Sequence, residues 1–433
     1  MKAVLVLLDG LGDRSYRVLN FRTPLAAART PNMDRLARCG ANGLYHATFP
    51  GECLPSETAH YLMFGYDRKD FPGRGLLEAV GEGVPFEDAD VLGLAHLAGA
   101  TADDGGYVLT HGRDDIKGSA EQFRPVFEAL TPYAAEGVRF ALHQTGRNDA
   151  VLVMAGDVSP DISDSDPMLC GRPIGQVKAF SESGEPARAK RTAEAVNRYL
   201  AHCRRQLTDG PAGRYLKGAL TDVNFLVTQR CGRRIGQVPF YDKWGVFPAL
   251  IASGNLYGGL ACELGMDFIA VEDTEEPGAD LGERLRMAIE DLQHDFIHVH
   301  TKVPDQVAHK FDPEAKKDAI ETLDAGLGQA IDAVGRRDDL LIIITADHST
   351  PSSGPLIHSG ETVPVTMVGP TVRRDSVARF DEVSAAAGGM QMLRGAELMH
   401  MIVNCTDRAV LSGHRMGAHD HPCEPFGYPC FKG

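Results

Sequence analysis

An aspartate and two histidines follow the most apolar run of the chain. The run Leu340–Thr345 leads through one alanine into Asp347 and His348, and His358 stands ten residues after the first histidine. A short, continuous apolar run is typical of a buried strand, and open α/β sheets bind their ligands at the carboxyl ends of their strands. Carboxylates and imidazoles are metal-binding groups, so we interpret this segment as part of a functional site.

Two further apolar runs end in the same way. The run Lys2–Leu8 is followed at once by Asp9, and the run 295–301 is followed by Asp305, with His309 four residues later. An aspartate after a strand is often only the N-cap of the next helix, and this alternative is open for each of them taken alone. Because parallel strands would bring all three runs to one edge of a sheet, we expect their carboxylates and imidazoles to converge there.

A serine in a fourth segment has the position expected of a nucleophile. Ser56 opens a helical pattern that carries His60 one turn later. Free backbone N–H groups and the helix dipole favour a negatively charged oxygen at the start of a helix. The alternative is that Ser56 is simply an N-cap, a common role for serine, and the sequence leaves both roles open.

These segments supply oxygen and imidazole ligands without any cysteine, which suits divalent ions such as Mn²⁺, Zn²⁺ or Mg²⁺. Two such ions about 3.5–4 Å apart lower the pKa of a hydroxyl group and stabilise both oxygens of an in-line phosphoryl displacement. Ser56 is then the nucleophile. We therefore predict a site for two divalent ions, with Mn²⁺ favoured and no organic cofactor. The candidate residues are Asp9, Ser56, Asp305, His309, Asp347, His348 and His358.

The composition excludes several classes of protein. A formal charge of -15 over 433 residues argues against a nucleic-acid or anionic-membrane partner, because such surfaces need an excess of Lys and Arg. No apolar run approaches the ~20 residues of a membrane span, and we expect no signal peptide. The nine cysteines form no regular framework and cannot all pair with one another, so we expect reduced thiols and a cytoplasmic location.

The C-terminal tail combines residue types that build small zinc sites. Its spacing lacks the paired CxxC pattern that is typical of structural zinc, so we leave the tail without an assigned role. The residues concerned are His419, His421, Cys423 and Cys430.

The pattern of predicted strands and helices changes twice along the chain. At both ends, apolar strand patterns alternate with helical patterns, including one at 313–337, and this alternation predicts a doubly wound, mostly parallel α/β sheet. In the middle the strand patterns are shorter, and two helical stretches occur at 118–135 and 187–206. We predict a metal-binding catalytic core formed by residues 1–75 and 223–433, and an inserted, smaller α+β cap or substrate domain formed by residues 76–222. Strand patterns of the later core segment lie at 225–227, 246–251, 267–271, 295–301, 340–345 and 363–368.

Short motifs spread along the chain carry a family resemblance. They are LDGLGDR at 8–14, TPNMDRLA at 30–37, SETAH at 56–60, GRG at 73–75, ISDSDP at 162–167, KVPD at 302–305, DHSTP at 347–351 and HSG at 358–360. In these motifs the chain resembles the cofactor-independent phosphoglycerate mutases of the archaeal type, within the alkaline phosphatase superfamily. The likeness covers all but about the last twenty residues.

The resemblance implies roles for the candidate residues. The metal ligands fall into two sets of three, and Ser56 carries the phosphoryl group between them. The first set is Asp305, His309 and His358, and the second is Asp9, Asp347 and His348.

The chain departs from the family pattern at three places in the predicted cap. An arginine-asparagine pair of the family is replaced by a segment ending in His96, an arginine-rich run by residues 110–117, and a His-Arg pair by Asn148 and Asp149. Several arginines that would hold a phosphate and a carboxylate are therefore missing. The remaining candidates for binding an anionic substrate are Arg74, Arg113, Arg230, Lys302 and Arg233, each of which could instead be a solvated surface charge.

Three hypotheses about function follow. In a phosphomutase, Ser56 takes a phosphoryl group from a small phosphorylated metabolite and returns it to another hydroxyl of the same molecule, with Lys302 as a second catalytic residue and a cap that excludes water. In a phosphate-monoester hydrolase or a phosphonate-metabolism enzyme, water discharges the phosphoserine, and the missing arginines favour this alternative. A catalytically inactive binding protein is disfavoured by the complete ligand set. We favour the mutase, acting on a small phosphorylated or phosphonate metabolite, and a homo-oligomer is compatible with the sequence.

Overall fold

The computed structural model of the protein describes residues 1–216, 222–334, 336–413 and 431–432. The chain forms two compact units. The first is discontinuous in sequence and comprises Met1–Phe71 and Gln237–Gly433, whereas the second comprises Pro72–Gly236. The tail residues considered above as a zinc site lie outside the described residues; they are His419, His421, Cys423 and Cys430.

Both units contain strands and helices. The strands are β1 (Lys2–Leu8), β2 (Ala41–His46), β3 (Val91–Asp103), β4 (Gly106–His111), β5 (Tyr133–Ala135), β6 (Val138–Gln144), β7 (Asp149–Ala155), β8 (Phe225–Gly232), β9 (Pro248–Ala252), β10 (Asp267–Ala270), β11 (Phe296–Thr301), β12 (Leu340–Thr345), β13 (Val363–Val368) and β14 (Gln391–Arg394). The helices are α1 (Pro24–Ala27), α2 (Pro31–Cys39), α3 (Ser56–Met63), α4 (Arg74–Gly81), α5 (Ala120–Leu130), α6 (Pro186–Thr208), α7 (Phe240–Trp244), α8 (Asn255–Leu264), α9 (Pro277–Glu290), α10 (Val303–Ala308), α11 (Pro313–Gly326), α12 (Gly328–Val334), α13 (Glu382–Ala385) and α14 (Glu397–Cys405).

The first unit is built on an eight-stranded sheet with the order β10-β9-β11-β1-β12-β13-β2-β14. The five strands from β10 to β12 are parallel to one another. Every residue of β1, β11 and β12 is buried, as expected for parallel strands covered by helices on both faces. The three runs that lead into the candidate ligands are therefore adjacent strands at the centre of one sheet.

The sheet is not parallel throughout. The strand β13 runs antiparallel to both of its neighbours, β12 and β2, while β14 pairs with β2 in parallel. Strand direction is set by the length and path of the connection before the strand, so an apolar pattern cannot reveal it. The predicted fold class, a mostly parallel α/β sheet with a smaller inserted unit, is confirmed.

The helical pattern at 313–337 forms two helices instead of one. The helix α11 ends at Gly326, and α12 begins two residues later. A Cβ atom at Gly326 would lie 2.4 Å from the carbonyl oxygen of Gly278, at the start of α9. Since glycine has no Cβ, the backbones of α11 and α9 approach closely here, and this contact lies at the point where the first helix ends.

The second unit contains a separate, antiparallel sheet. Its order is β4-β3-β7-β6-β5, with β8 paired to the long strand β3. The helices α5 and α6 supply Phe123, Phe127, Val196 and Tyr199 to a core that also contains apolar side chains of β3, β6 and β7. The two long helices thus bury their apolar faces within this unit.

The boundaries of the two units differ from the predicted domain boundaries. The sequence pattern predicts residues 72–75 and 223–236 in the catalytic core, whereas both segments belong to the second unit. The strand β8 pairs antiparallel with β3 from Phe225, opposite Ala98, to Gly232, opposite Leu92. Because a short apolar strand looks the same in either sheet, its partner could not be read from its pattern.

The helix predicted at 118–135 is shorter in the structure than in the prediction. The helix α5 begins after the N-cap Ser119, whose side chain forms a reciprocal capping box with Gln122. It ends at Leu130, and residues 133–135 form β5, which pairs with β6. Pro132 restricts the residue before it and lacks an N–H group, so the helix stops at this point.

Within the described residues, every helix is either too short or too polar to cross a lipid bilayer. Seven cysteines fall in this part of the chain, and all of them are free thiols.

Candidate active site

Three adjacent strands of the first unit deliver the candidate carboxylates to one edge of the sheet. Asp9 directly follows β1, Asp347 lies two residues beyond β12, and Asp305 lies in α10, the short helix after β11. The backbone N–H of Asp305 donates a hydrogen bond to the carbonyl oxygen of Asp9, at 3.0 Å. The convergence expected from the sequence is therefore present in the structure.

One group of metal-binding side chains consists of Asp9, Asp347 and His348. All three are buried, and one ligand atom from each lies within 4.8 Å of the others. Nε2 of His348 is 3.4 Å from Oδ1 of Asp9 and 3.2 Å from Oδ2 of Asp347. Two carboxylates and an imidazole at this spacing can hold a divalent ion.

The second group consists of Asp305, His309 and His358. Oδ1 of Asp305 lies 3.3 Å from Nε2 of His309 and 3.4 Å from Nε2 of His358. The carboxylate is buried, but the His309 side chain is 38% exposed, so this group faces solvent on one side. The rings of His348 and His358 stack with their centroids 3.9 Å apart, which places the two groups side by side.

Ser56 is the first residue of α3, and its hydroxyl group does not cap the helix. Pro55 is the N-cap residue, and it makes no capping bond through its side chain. The Ser56 hydroxyl donates to Oδ1 of Asp9 at 3.3 Å and lies 3.0 Å from Nε2 of His348. The N-cap alternative is therefore wrong, because this hydroxyl contacts the first group of ligands.

The charges in the first group conflict with one another. Burial and the neighbouring Asp9 raise the pKa of Asp347 well above its ordinary value. The pKa of Asp9 is lowered, because hydrogen bonding from His300 and the nearby His348 outweigh burial and the repulsion from Asp305. Two neighbouring carboxylates repel each other when both are ionised, and a bound cation would offset this repulsion.

Two buried histidines of the site, His348 and His60, are held neutral. Burial, together with the adjacent His358, lowers the pKa of His348 to about 3. Burial, reinforced by His300, lowers the pKa of His60 to about 4. A neutral imidazole has a free nitrogen lone pair, which is the form that binds a metal.

The hydrogen bonds of the Asp347 carboxylate indicate whether these residues fit a cation. Oδ1 of Asp347 accepts hydrogen bonds from the backbone N–H groups of Gly10 and His348, at 3.1 and 3.0 Å. Its other oxygen, Oδ2, is buried and accepts no hydrogen bond. A buried acceptor without a donor costs about 1–3 kcal/mol, so this oxygen fits a divalent ion that would coordinate it.

Several contacts around the ligands could not be predicted from the sequence. Thr350 donates to Oδ1 of Asp305 at 2.8 Å, and Nδ1 of His358 lies 2.7 Å from the carbonyl oxygen of Leu54. Nδ1 of His60 lies 2.8 Å from the carbonyl oxygen of Ser56. The only sequence signal for Thr350 is its place two residues after His348.

A second layer of missed residues lies behind Asp9 and Asp347. Lys316, Tyr257 and His300 are buried and contact the loops or side chains of the first ligand group. The sequence signal for His300 is its alternation with His298 in an apolar strand, which places both side chains on one face. No comparable pattern marks Lys316 or Tyr257.

The candidate anion-binding residues are divided between the two units. Lys302 is the N-cap of α10, and its Nζ lies 4.0 Å from Oδ2 of Asp305. The arginines Arg74, Arg113 and Arg230 belong to the second unit. Arg74 pairs with Glu78 at 3.0 Å, and Arg113 pairs with Asp149 at 2.8 Å.

The backbone at Arg230 has an unusual conformation, with φ of 53°. Its N–H donates to Oδ1 of Asp164 at 2.7 Å. Arg233, the fifth candidate, donates from its guanidinium to the carbonyl oxygen of Val158, within the second unit. These contacts position the arginines without assigning them a ligand.

A buried polar cluster in the second unit occupies the places where the chain departs from the family pattern. Nε2 of His96 lies 3.7 Å from Oδ2 of Asp166, with both side chains about 5% exposed. Gln229 donates to the same oxygen at 3.1 Å. Asn148 donates to the carbonyl oxygen of Arg113 at 3.0 Å. Asn148 thus contacts the backbone of Arg113, one of the candidate anion-binding residues.

Comparison with known proteins identifies the family. Residues 1–405 match the metalloenzyme superfamily. The chain is 41% identical over 426 residues to 2,3-bisphosphoglycerate-independent phosphoglycerate mutase 2 of Methanocaldococcus jannaschii, with 96% of each chain covered. The chain belongs to the metalloenzyme superfamily, among the cofactor-independent phosphoglycerate mutases. A mutase of this name from Methanopyrus kandleri is 34% identical over 414 residues, covering 94% of this chain and 97% of the relative.

Solved structures agree with this membership. The PH0037 protein of Pyrococcus horikoshii has a TM-score of 0.73 and 27% sequence identity, covering 95% of this chain and 99% of that one. The cofactor-independent phosphoglycerate mutase of Thermoplasma acidophilum has a TM-score of 0.60 and 28% identity, covering 94% and 100%. The likeness to both structures extends over nearly the whole of each chain.

Membership in this family confirms the resemblance and the enzyme class predicted from the sequence. The chain is an isomerase of the mutase type, which carries out metal-dependent phosphoryl transfer with divalent ions. The alternative of a catalytically inactive binding protein is therefore wrong.

Proposed function

We propose that the chain interconverts phosphoglycerates, moving the phosphoryl group through a phosphoserine at Ser56 with the help of two divalent ions, Mn²⁺ in preference to Zn²⁺ or Mg²⁺. The main support for this proposal is the position of the Ser56 hydroxyl, which lies 3.3 Å from Asp9 and 3.0 Å from His348. The substrate class comes from the relatives, which are named phosphoglycerate mutases. A hydroxyl in contact with two metal-binding groups is suited to nucleophilic attack on phosphorus.

In this proposal the two ligand groups act together. Divalent ions bound there would lower the pKa of the Ser56 hydroxyl and balance the charge of the transferred phosphoryl group. Asp9 and His348 hold the hydroxyl in place. A bond forms between Ser56 Oγ and phosphorus while the bond from phosphorus to the substrate oxygen breaks. The hydroxyl loses one proton and the departing oxygen gains one, and the same exchange in reverse phosphorylates the other hydroxyl of the substrate.

We assign Lys302 a role beside the second ligand group. Its side chain is 31% exposed, and its ammonium lies 4.0 Å from Asp305. A cation at this place can contact a phosphate or carboxylate oxygen of the substrate and stabilise the departing oxygen. Lys302→Met should therefore lower kcat as well as raise KM, whereas loss of a simple surface charge would change neither.

We further propose that the second unit is a substrate-binding unit, and that Arg74, Arg113 and Arg230 supply its positive charge. Arg113 is about half exposed, so part of its guanidinium can accept a further anionic partner. Arg113→Gln should raise KM for phosphoglycerate several-fold, and Arg124→Gln, in the same unit, serves as a control. Equal KM values in the two variants and the parent would remove Arg113 from the substrate site.

The experiment that tests the proposed function is a conversion assay with 3-phosphoglycerate and Mn²⁺, followed by phosphorus NMR in ¹⁸O-labelled water. A mutase yields the isomer and keeps the label out of it, whereas a hydrolase places the label in inorganic phosphate. Ser56→Ala should abolish conversion, and Ser384→Ala, which removes a hydroxyl that contacts Asp381 at 2.9 Å, should not. Labelled inorganic phosphate as the main product would replace the mutase with the hydrolase.

A further inference from the structure

The two carboxylate oxygens of Asp9 have different surroundings. Oδ1 faces the Ser56 hydroxyl at 3.3 Å and Nε2 of His348 at 3.4 Å. Oδ2 accepts a hydrogen bond from the Tyr257 hydroxyl at 2.9 Å and lies 3.1 Å from Nε2 of His300. One oxygen thus faces the nucleophile and the other faces a pair of hydrogen-bond donors.

The donors can be assigned from the chemistry of the groups. An ionised carboxylate only accepts hydrogen bonds, so the proton between His300 and Asp9 is carried by Nε2 of the imidazole. The other ring nitrogen of His300, Nδ1, is buried and has no partner. Tyrosine has an ordinary pKa of about 10, so the Tyr257 hydroxyl carries its proton at neutral pH. Tyr257 is therefore a neutral donor, and His300 has one fixed tautomer.

Both donors are held rigidly by the fold. His300 is the second-last residue of β11 and is paired in register with Leu7 of β1, two residues before Asp9. Tyr257 lies in the first turn of α8 and packs against His300, with ring centroids 4.0 Å apart. The imidazole of His300 and the side chain of Asp9 are fully buried, so bulk water does not reach Oδ2.

We propose that Tyr257 and His300 are positioning residues for Asp9. They occupy Oδ2, so that only Oδ1 is presented to a bound cation and to Ser56. This inference rests on the proposed metal binding by Asp9, Asp347 and His348. Among the described residues, His300 belongs to neither of the two groups that could hold a metal ion, which separates its role from that of a ligand.

The expected consequence is a selective loss of metal affinity. Hydrogen-bond partners of metal ligands typically change affinity about 10- to 100-fold. Removing a donor from Oδ2 lets the carboxylate rotate or bind a cation through both oxygens. The effect should be confined to the first ligand group, because Asp305 receives its hydrogen bond from Thr350 instead.

The test is calorimetric titration of the metal-free full chain with Mn²⁺, together with the visible spectrum of the Co²⁺ form. Tyr257→Phe, which removes one oxygen atom, and His300→Leu should each weaken one of two binding events about tenfold or more and change the Co²⁺ spectrum. His300→Gln should restore the affinity, since its amide nitrogen can donate in place of Nε2.

Two control variants change a histidine and a tyrosine that make no hydrogen bond to Asp9. His298→Leu changes the other histidine on the same face of β11, and Tyr45→Phe removes a buried hydroxyl that is 3.4 Å from the carbonyl oxygen of Gly395. Both should leave the two Mn²⁺ affinities as they are in the parent chain.

Two outcomes would overturn the positioning role. One is unchanged Mn²⁺ affinity in both Tyr257→Phe and His300→Leu, and the other is an equal weakening of both binding events with a lower melting temperature of the metal-free chain, which marks a general structural effect. Failure of the proposed function gives a different result: the parent chain would show no binding event that Asp347→Asn removes.

Discussion

The Ser56 hydroxyl oxygen lies 3.0 Å from Nε2 of His348, although the two residues are 292 positions apart in the sequence. Ser56 is the first residue of α3, and His348 lies three residues past the end of the central strand β12. The sheet brings them together because β1, which leads into Asp9, is the direct neighbour of β12. A serine hydroxyl is thereby placed against metal-binding side chains from two strands.

Loss of one ligand should remove one metal ion. In His309→Ala the second group keeps only Asp305 and His358, so we expect one tightly bound Mn²⁺ per chain in place of two. Asp347→Asn should remove the other ion, and chelation should abolish activity in the parent chain. Elemental analysis after gel filtration measures the stoichiometry. Two retained ions in both variants would contradict the ligand assignment.

Lys316 should make a large contribution to stability. Its ammonium is fully buried, donates to the carbonyl oxygens of Gly10, Gly12 and Thr350 at 2.8–3.0 Å, and lies 3.2 Å from Asp13. Removing one partner of a buried ion pair costs about 3–5 kcal/mol. Lys316→Met should therefore lower the free energy of unfolding by that amount, as measured by urea denaturation of the metal-free chain.

The neighbouring lysine provides a matched control for this change. Lys317 is 25% exposed and pairs with Glu321 at 3.4 Å within α11. Exposed helical pairs contribute about 0.3–0.5 kcal/mol, so Lys317→Met should have only a small effect. Equal destabilisation by the two substitutions would show that Lys316 does not stabilise the loop after β1 against the loop after β12.

Two buried histidines should each add stability as the pH rises towards 6.5 in the metal-free chain, while the raised pKa of Asp347 acts in the opposite direction. Burial, reinforced by His300, lowers the pKa of His60 from 6.5 to about 4, and burial lowers that of His298 as well. Below pH 6.5 the unfolded chain binds protons that the folded chain does not, so acidification favours unfolding. Each such histidine adds a slope of up to about 1.4 kcal/mol per pH unit.

His298→Leu isolates one of these contributions. Both ring nitrogens of His298 are buried without a hydrogen-bond partner, which costs about 1–3 kcal/mol for an unsatisfied group. The substitution should raise the free energy of unfolding at pH 6 and reduce its slope with pH. Denaturation curves at several pH values measure both quantities. A steeper slope in the variant would contradict a neutral, buried His298.

The strand ends could be predicted from the sequence because they depend on local patterns. The apolar runs before Asp9 and Asp347 predict both the buried strand and the polar residues at its end. The order of the motifs along the chain supports the family resemblance. The direction of β13 and the sheet to which β8 belongs could not be predicted, because both depend on pairing partners distant in the sequence.

The second layer of the site was hidden for different reasons. Lys316 stands in an amphipathic helix, where a lysine is ordinarily solvent-exposed, and only the folded structure reveals that its ammonium is enclosed by carbonyl oxygens. Tyr257 is one aromatic residue in an apolar helix. Such side chains act through contacts with residues distant in the sequence, which leave no periodic signal.

The central claim is that Ser56 carries the phosphoryl group. The most direct measurement is mass spectrometry of the chain after acid quenching during turnover of 3-phosphoglycerate with Mn²⁺, followed by peptide mapping. We predict one phosphoryl group, located on Ser56, in the parent chain and none in Ser56→Ala, which should also be inactive. Unphosphorylated Ser56 in the quenched parent chain, together with full activity of Ser56→Ala, would contradict the account.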